Sequence, residues 1–412
     1  MNRVGRRGFA IAAALAVAGC AGSKPPLPPP SAGPPEVRVA VRFGVDTEEV
    51  TARGAYTVAD DTGVFHAARA GQRLRAVRVG EEIVLRGPVG EEIARGPGPF
   101  WIRPDDRSRE VVVGEDTYSG RLVIHRGTRG GLHVVDVLDL ETYLRNVVPA
   151  EIGHKGKYLQ AAMAQAVAAR TYAVGNMDRY PEEGFDLHAG INDQVYASNA
   201  RRHPDSDRAV ALTRGQVLVY DGATILARYA STCGGVTADA RESFDLPAVP
   251  YLRSQDDRVE GKDACRTSRY YRWEAEWSGD ELYRILSRTV PAVTGRPWRG
   301  TTLRDLDVRR RGESGRAVVL RVTTDLTYYD LERMGIRLGL ERPEGGALRS
   351  NAFELDVKRS DDRVVRVVAR GRGWGHGVGM CQWGAMQLSS EGKSAAFLLK
   401  HYYPETRIQR LY

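Results

Sequence analysis

The sequence predicts an α+β protein: a mixed, mostly antiparallel β-sheet core with a few helices and a groove, preceded by a small β-rich module. Three observations carry this. Runs of alternating apolar and polar residues recur from VRVAVRF (37–43) to RVVRVVARG (363–371), the period of a half-buried strand. Helical spacing is confined to a few segments, the clearest an alanine-rich stretch near residue 160. With 45 glycines and 18 tyrosines against 8 phenylalanines, the composition suits many strands and turns. The 412 residues, 42% hydrophobic, are enough for a sizeable core in more than one domain.

In chain order, MNRVGRRGFAIAAALAVAGC comes first. Arginines precede an apolar run too short to span a bilayer, so residues 1–19 read as a cleavable export signal. Val17-Ala18-Gly19-Cys20 resembles the lipobox of bacterial lipoproteins, in which Cys20 is acylated and becomes the first mature residue. Acyl chains anchor by burying methylenes, each worth about 0.8 kcal/mol. The alternative is an ordinary signal peptide that contains a cysteine. Arg6-Arg7-Gly8-Phe9 hints at twin-arginine export. Ala21, where aspartate would retain a lipoprotein in the inner membrane, favours the outer membrane of a cell with two.

Residues 20–36 are proline-rich and read as a semi-rigid tether. Residues 37–114 alternate through VRVAVRF, GAYTVAD, LRAVRVG, EEIVLRG and EVVVGED, a small β-rich module. The remainder, 115–412, is expected to be one domain carrying the chemistry. LDLETYLRNVV (138–148) has helical spacing, and Pro149 is expected to end that helix. A second helix is expected over 156–177, an amphipathic one over 277–290 and a last one over 383–402. Strands are expected at 215–222, 223–232, 303–311, 317–325, 351–360 and 363–371.

Net charge is +8, which favours an anionic partner such as a membrane surface or wall polymer, or else marks a merely solvated surface. No block interleaves basic and aromatic residues in the manner of a nucleic-acid binder. Cys233, Cys265 and Cys381 form no CxxC pair, which argues against a thiolate zinc ribbon. The preferred pairing is Cys233 with Cys265, leaving Cys381 as a buried thiol. That bridge would close roughly thirty residues and add about 3–4 kcal/mol in the chain-entropy model.

Four segments can carry chemistry. Glu151 is the one acid in residues 144–173 and falls between the two expected helices. It reads as a helix-terminus acid, stabilised by the dipole, or as a general acid whose proton is held by its apolar neighbours. In GRGWGHGVGMCQWGAMQ, alternating glycines flank Trp374 and His376 and allow close backbone approach. His376 is either accessible or a core histidine satisfied by backbone. STCGG (231–235) offers backbone amides for a ligand oxygen. FDLHAGINDQVYAS (185–198) places His188 and Asp193 five apart, a weak metal pattern.

In order, NVVPAEI, LQAAMAQAVAARTYA, DQVYAS, STCGG and GRGWGHGVGMCQWGAMQLSSEGKSAAFLLKHYYPET resemble the stage II sporulation protein D (SpoIID/LytB) family, over about residues 115–407. The resemblance implies a peptidoglycan lytic transglycosylase whose catalytic glutamate, in V-V-P-x-E, is Glu151, lying in a substrate groove. Gln165, Arg170, Tyr172, Gln194 and Tyr196 are then expected to orient sugar or Glu151. Thr232 and Gly234 would offer hydrogen bonds, and His376 and Gln382 would line the opposite wall. Some relatives bind zinc just before Q-V-Y through cysteines and a histidine. This chain has His188, Asn192 and Asp193 there, so no metal and no cofactor is expected. Expected partners are glycan strands, the membrane through Cys20, and a cell-wall amidase. The alternative function is a non-catalytic wall-binding lipoprotein that stimulates such an amidase. A third is a water-using muramidase, which needs a second carboxylate; Asp186 and Asp193 are the candidates.

Overall fold

The computed structural model describes residues 33–106, 108–153 and 156–412. The expected export signal, Cys20 and most of the expected tether lie outside them. Among the described residues, helices are α1 (Leu140–Ile152), α2 (Leu159–Val174), α3 (Pro204–Leu212), α4 (Ala240–Ser243), α5 (Gly279–Thr294), α6 (Met334–Gly339), α7 (Gln382–Ser390) and α8 (Ala395–Tyr402). The chain is α+β, with mostly antiparallel sheets. No described helix is long and apolar enough to cross a membrane.

Two compact units divide the chain: residues 33–228 with 385–412, and residues 229–384. The first holds a seven-stranded sheet, ordered 187–188, 36–45, 132–139, 121–126, 100–104, 56–60 and 63–68. Its two longest strands pair antiparallel, Val37 opposite Leu138 and Val39 opposite Asp136. Val37 and Val39 are fully buried on either side of the part-exposed Arg38. A six-stranded antiparallel sheet joins 47–52, 74–79, 82–86, 92–96, 111–113 and 116–118. The boundary expected at 114/115 therefore meets a sheet that crosses it, because strand 36–45 pairs with 132–139.

The unit 229–384 holds two three-stranded antiparallel sheets, 273–278/363–371/353–360 and 303–311/317–324/328–332. Both share one core in which Trp277, Leu282, Leu286, Leu320, Tyr329 and Val367 are buried. Ser278 caps α5 by accepting the Glu281 N–H at 3.2 Å.

Three local expectations are corrected. Helix α1 does not stop at Pro149 but runs on to Ile152. Proline forfeits one backbone donor, and so near a helix end the loss is small against the burial of Val147, Val148, Pro149 and Ile152. The last helix is two, α7 and α8, broken around Gly392 and restarted by Ser394, whose hydroxyl accepts the Phe397 N–H at 3.2 Å. Segment 223–232 forms only short strands, Ala223–Thr224 and Tyr229–Ala230, because its ends join different sheets.

Candidate functional site

Glu151 sits in the last turn of α1, not at the mouth of α2. That reverses its electrostatics. The partial negative charge of a helix C-terminus opposes a carboxylate, where an N-terminus would favour it. The side chain is half-buried, and Oε1 accepts the Val195 N–H at 2.8 Å. Gly153, at φ 80°, then turns the chain out of the helix, donating to Pro149 O at 3.2 Å.

Segment 193–196 is built to present that amide. Gln194 is fully buried; its Oε1 accepts the Tyr143 hydroxyl at 2.9 Å and its Nε2 donates to Ala169 O at 3.3 Å. It thus ties the segment to α1 and α2. Tyr196 stacks between Tyr118 and Tyr143, with centroids 5.6 and 5.1 Å away, and donates its hydroxyl to Asp136 Oδ2 at 2.7 Å. With side chains 194 and 196 fixed inward, the intervening peptide at 195 faces Glu151. Burial pushes the Tyr143 and Tyr196 hydroxyls well up, so both remain donors. Burial likewise pushes Asp136 up to about 7, against the pull of the Tyr196 hydrogen bond.

Asp193 and Asp186 are already engaged. The Asp193 carboxylate takes Arg179 Nη1 at 2.6 Å, the Tyr172 hydroxyl at 2.7 Å and the His188 N–H at 2.9 Å. Asp186 takes Arg38 Nη2 at 2.7 Å and backbone amides of Arg38 and Asp178 at 2.7 and 2.8 Å. The His188 ring lies in an aromatic nest with Phe43, Tyr180 and Phe185. The donor set before Q-V-Y does not fit the zinc site of the relatives: Asp193 is spent on Arg179, and no thiol is present.

Tyr172, through Asp193, and Gln194 hold the loop whose Val195 amide meets Glu151; both are buried, as is Gln165. Arg170 is corrected to a packing role. It is fully buried and clasps Glu141, Nε to Oε1 at 2.8 Å and Nη2 to Oε2 at 2.9 Å, and it also donates to Gln216 O at 3.1 Å. No face is left for a sugar. A cavity of about 760 Å³ in the same unit is lined by Arg103, Arg121, Asp139 and Thr142, and excludes Glu151. It opens beside the N-terminus of α1, about 18 Å along the helix from residue 151 at 1.5 Å per residue. The chemistry of the acid, rather than cavity size, marks the candidate site.

Thr232, Gly234, His376 and Gln382 belong to the unit 229–384. Thr232 is fully buried and its hydroxyl pairs with Ser268 Oγ at 2.8 Å. The amides of Gly234 and Gly235 face the Cys265 sulfur, not an open groove. His376 Nδ1 accepts the Val378 N–H at 3.0 Å, and its ring lies 5.0 Å from that of Phe244. Gln382 begins α7 and is mostly buried. The expected Cys233–Cys265 bridge is also corrected. All three thiols are free, with these two sulfurs 3.6 Å apart. The expectation of no metal rested on the region before Q-V-Y and on the lack of a CxxC pair among Cys233, Cys265 and Cys381; the described residues nevertheless gather four ligand atoms at Cys233, Asp257, Cys265 and Cys381. The sequence carried little sign of Asp257, which has no motif around it.

Fold and site define an α+β protein that presents a half-buried carboxylate, at a helix C-terminus, to a backbone amide of a rigid loop. Residues 128–220 match the family described as stage II sporulation protein, and residues 259–379 match a domain of unknown function. A stage II sporulation protein D from Bacillus amyloliquefaciens is 30% identical over 314 residues, 72% of this chain and 81% of that protein. An uncharacterized protein from Brachyspira hyodysenteriae is 30% identical over 276 residues, 66% of each chain. The amidase enhancer of Bacillus subtilis strain 168 is 25% identical over 293 residues, 64% of this chain and 40% of that protein. The chain belongs to the stage II sporulation protein D family.

Proposed function

We propose that the protein is a peptidoglycan lytic transglycosylase with Glu151 as its single general acid and base. One observation carries the reading. The two carboxylates that a water-using muramidase could recruit, Asp186 and Asp193, are consumed by Arg38 and Arg179, while Glu151 is half-buried and held by an amide. Hydrolytic glycosidases need a second carboxylate to activate water or attack the sugar. A transglycosylase does not, because the substrate supplies the nucleophile.

The protonated Glu151 carboxyl donates to the bridging oxygen between N-acetylmuramic acid and N-acetylglucosamine. The C1–O4 bond breaks and the proton leaves with the glucosamine 4-hydroxyl. The muramyl 6-hydroxyl then bonds to C1 and gives its proton to the Glu151 carboxylate. The product is a 1,6-anhydro-muramyl end, no water is consumed, and the acid is regenerated. Gln194, Tyr196 and Tyr143 hold the Val195 amide that fixes the carboxyl orientation. Export and anchoring through Cys20 would place this chemistry at the wall.

The second reading is a wall binder that stimulates an amidase. It is favoured by the likeness to the Bacillus subtilis protein named amidase enhancer. Digestion of purified peptidoglycan, intact and amidase-stripped, separates the two. The enzyme leaves anhydro ends, and Glu151→Gln lowers the rate by about 10²–10⁴-fold, the usual worth of a general acid. Retained glycan binding without cleavage on either substrate would establish the binder.

A further inference from the structure

We infer that Cys233, Asp257, Cys265 and Cys381 form a closed structural site for a thiophilic divalent cation, Zn²⁺ by ligand chemistry. Their ligand atoms all lie within 4.8 Å of one another, and all four residues are essentially fully buried. Four donors about 2.3 Å from one ion, at tetrahedral angles, stand about 3.8 Å apart. The Cys233 and Cys265 sulfurs are 3.6 Å apart, near that separation. Asp257 Oδ2 is 2.9 Å from Cys233 Sγ, so the carboxylate would swing outward by a fraction of an ångström to ligate.

The surroundings supply hydrogen-bond donors to the three sulfurs. Backbone N–H groups point at the sulfurs: Cys233 and Gly384 at Cys381 Sγ, 3.2 and 3.4 Å away, and Gly235 at Cys233 Sγ, 3.4 Å away. The amides of Gly234 and Gly235 also reach Cys265. Positive φ values of 82° and 105° at these two glycines aim the amides, and a Cβ on Gly235 would meet Asp263 Oδ2 at 2.5 Å. Three thiolates and a carboxylate around a divalent ion leave two negative charges. Arg316, fully buried, lies against the cluster, donating to Cys233 O at 2.7 Å and Val236 O at 3.1 Å, and offsets one of them.

Four protein ligands leave no position for a substrate, which marks a structural rather than catalytic ion. Its effect would be to pin three distant segments of the unit 229–384: the middle of STCGG, the 257–265 turn, and the end of the glycine-rich run. Each ligating thiol gives up its proton to solvent, so binding is tighter at higher pH.

The test uses the full chain, reduced, stripped with a chelator and titrated with Co²⁺, then Zn²⁺, with metal content and thiol alkylation read by mass spectrometry. The expected result is one Co²⁺ per chain with a thiolate-to-cobalt absorption band, displaced by Zn²⁺, and Zn²⁺ protection of three cysteines from alkylation. Cys265→Ser should abolish the band, and Asp257→Asn should weaken binding by at least tenfold while leaving the thiolate band. Alkylation of Cys233, Cys265 and Cys381 regardless of Zn²⁺, or a chain lighter by two hydrogens through a Cys233–Cys265 bridge with no metal uptake, would overturn the site. None of these readouts depends on glycan cleavage.

Discussion

Replacing Arg170 by alanine should destabilise the unit around α1 and α2 rather than weaken substrate binding. The guanidinium is fully buried and makes two charged hydrogen bonds to Glu141, at 2.8 and 2.9 Å. Charged hydrogen bonds are worth about 1.5–3 kcal/mol each, so two lost bonds amount to about 3–6 kcal/mol. Removing one partner of a buried pair costs about 3–5 kcal/mol by a separate route, because the other charge is stranded. Glu141 would keep the Tyr412 hydroxyl and the Gly215 N–H at 3.3 Å, which places the loss toward the lower end, near 3 kcal/mol. Urea unfolding of wild type, Arg170→Ala and the double variant Arg170→Met/Glu141→Gln measures it. The double variant should recover part of the loss by removing the stranded charge. A loss under about 1 kcal/mol with glycan cleavage abolished would refute the reasoning and return Arg170 to the substrate.

Asp136 gives a pH signature. Burial holds its carboxyl up to about 7 in the folded chain. The folded state therefore keeps a proton that the unfolded state has lost, and stability should fall as pH rises from about 4 to about 7, by at most about 4 kcal/mol at 1.36 kcal/mol per unit. Asp136→Asn should flatten that slope in pH-dependent urea unfolding; an unchanged slope would assign it elsewhere. Glu183 acts oppositely. Although its burial pushes upward, hydrogen bonds from Thr128 and His133 pull it down to about 2. Its contribution should be full above about 4.5 and vanish as pH falls toward 2, and Glu183→Gln should lose it at neutral pH. Gly279→Ala should destabilise the 229–384 unit, since its Cβ would meet Val364 O at 1.9 Å; a thermal midpoint equal to wild type would contradict the close approach.

Periodicity in the sequence located most of the long strands and the alanine-rich helix, because burial on one face imposes a period that survives any tertiary arrangement. What it missed depended on contacts distant in the chain. Pro149 looked like a stop, but the buried apolar face of α1 outweighs one lost donor. That error moved Glu151 from a helix start to a helix end and so inverted its electrostatics. Arg170 and Glu141, 29 positions apart, gave no local sign of pairing. Nor did Asp257 announce that it would meet three cysteines. Glu151 stands out as a candidate through its motif, while the amide of Val195 that holds it does not, since any residue carries one.

The most direct test of the central claim is digestion of amidase-stripped glycan in ¹⁸O-labelled water with wild type and Glu151→Gln, reading the muramyl ends by mass spectrometry. The account predicts anhydro ends free of ¹⁸O from wild type and a rate lower by about 10²–10⁴-fold from the variant. Reducing ends that carry ¹⁸O, or undiminished cleavage by Glu151→Gln, would contradict it.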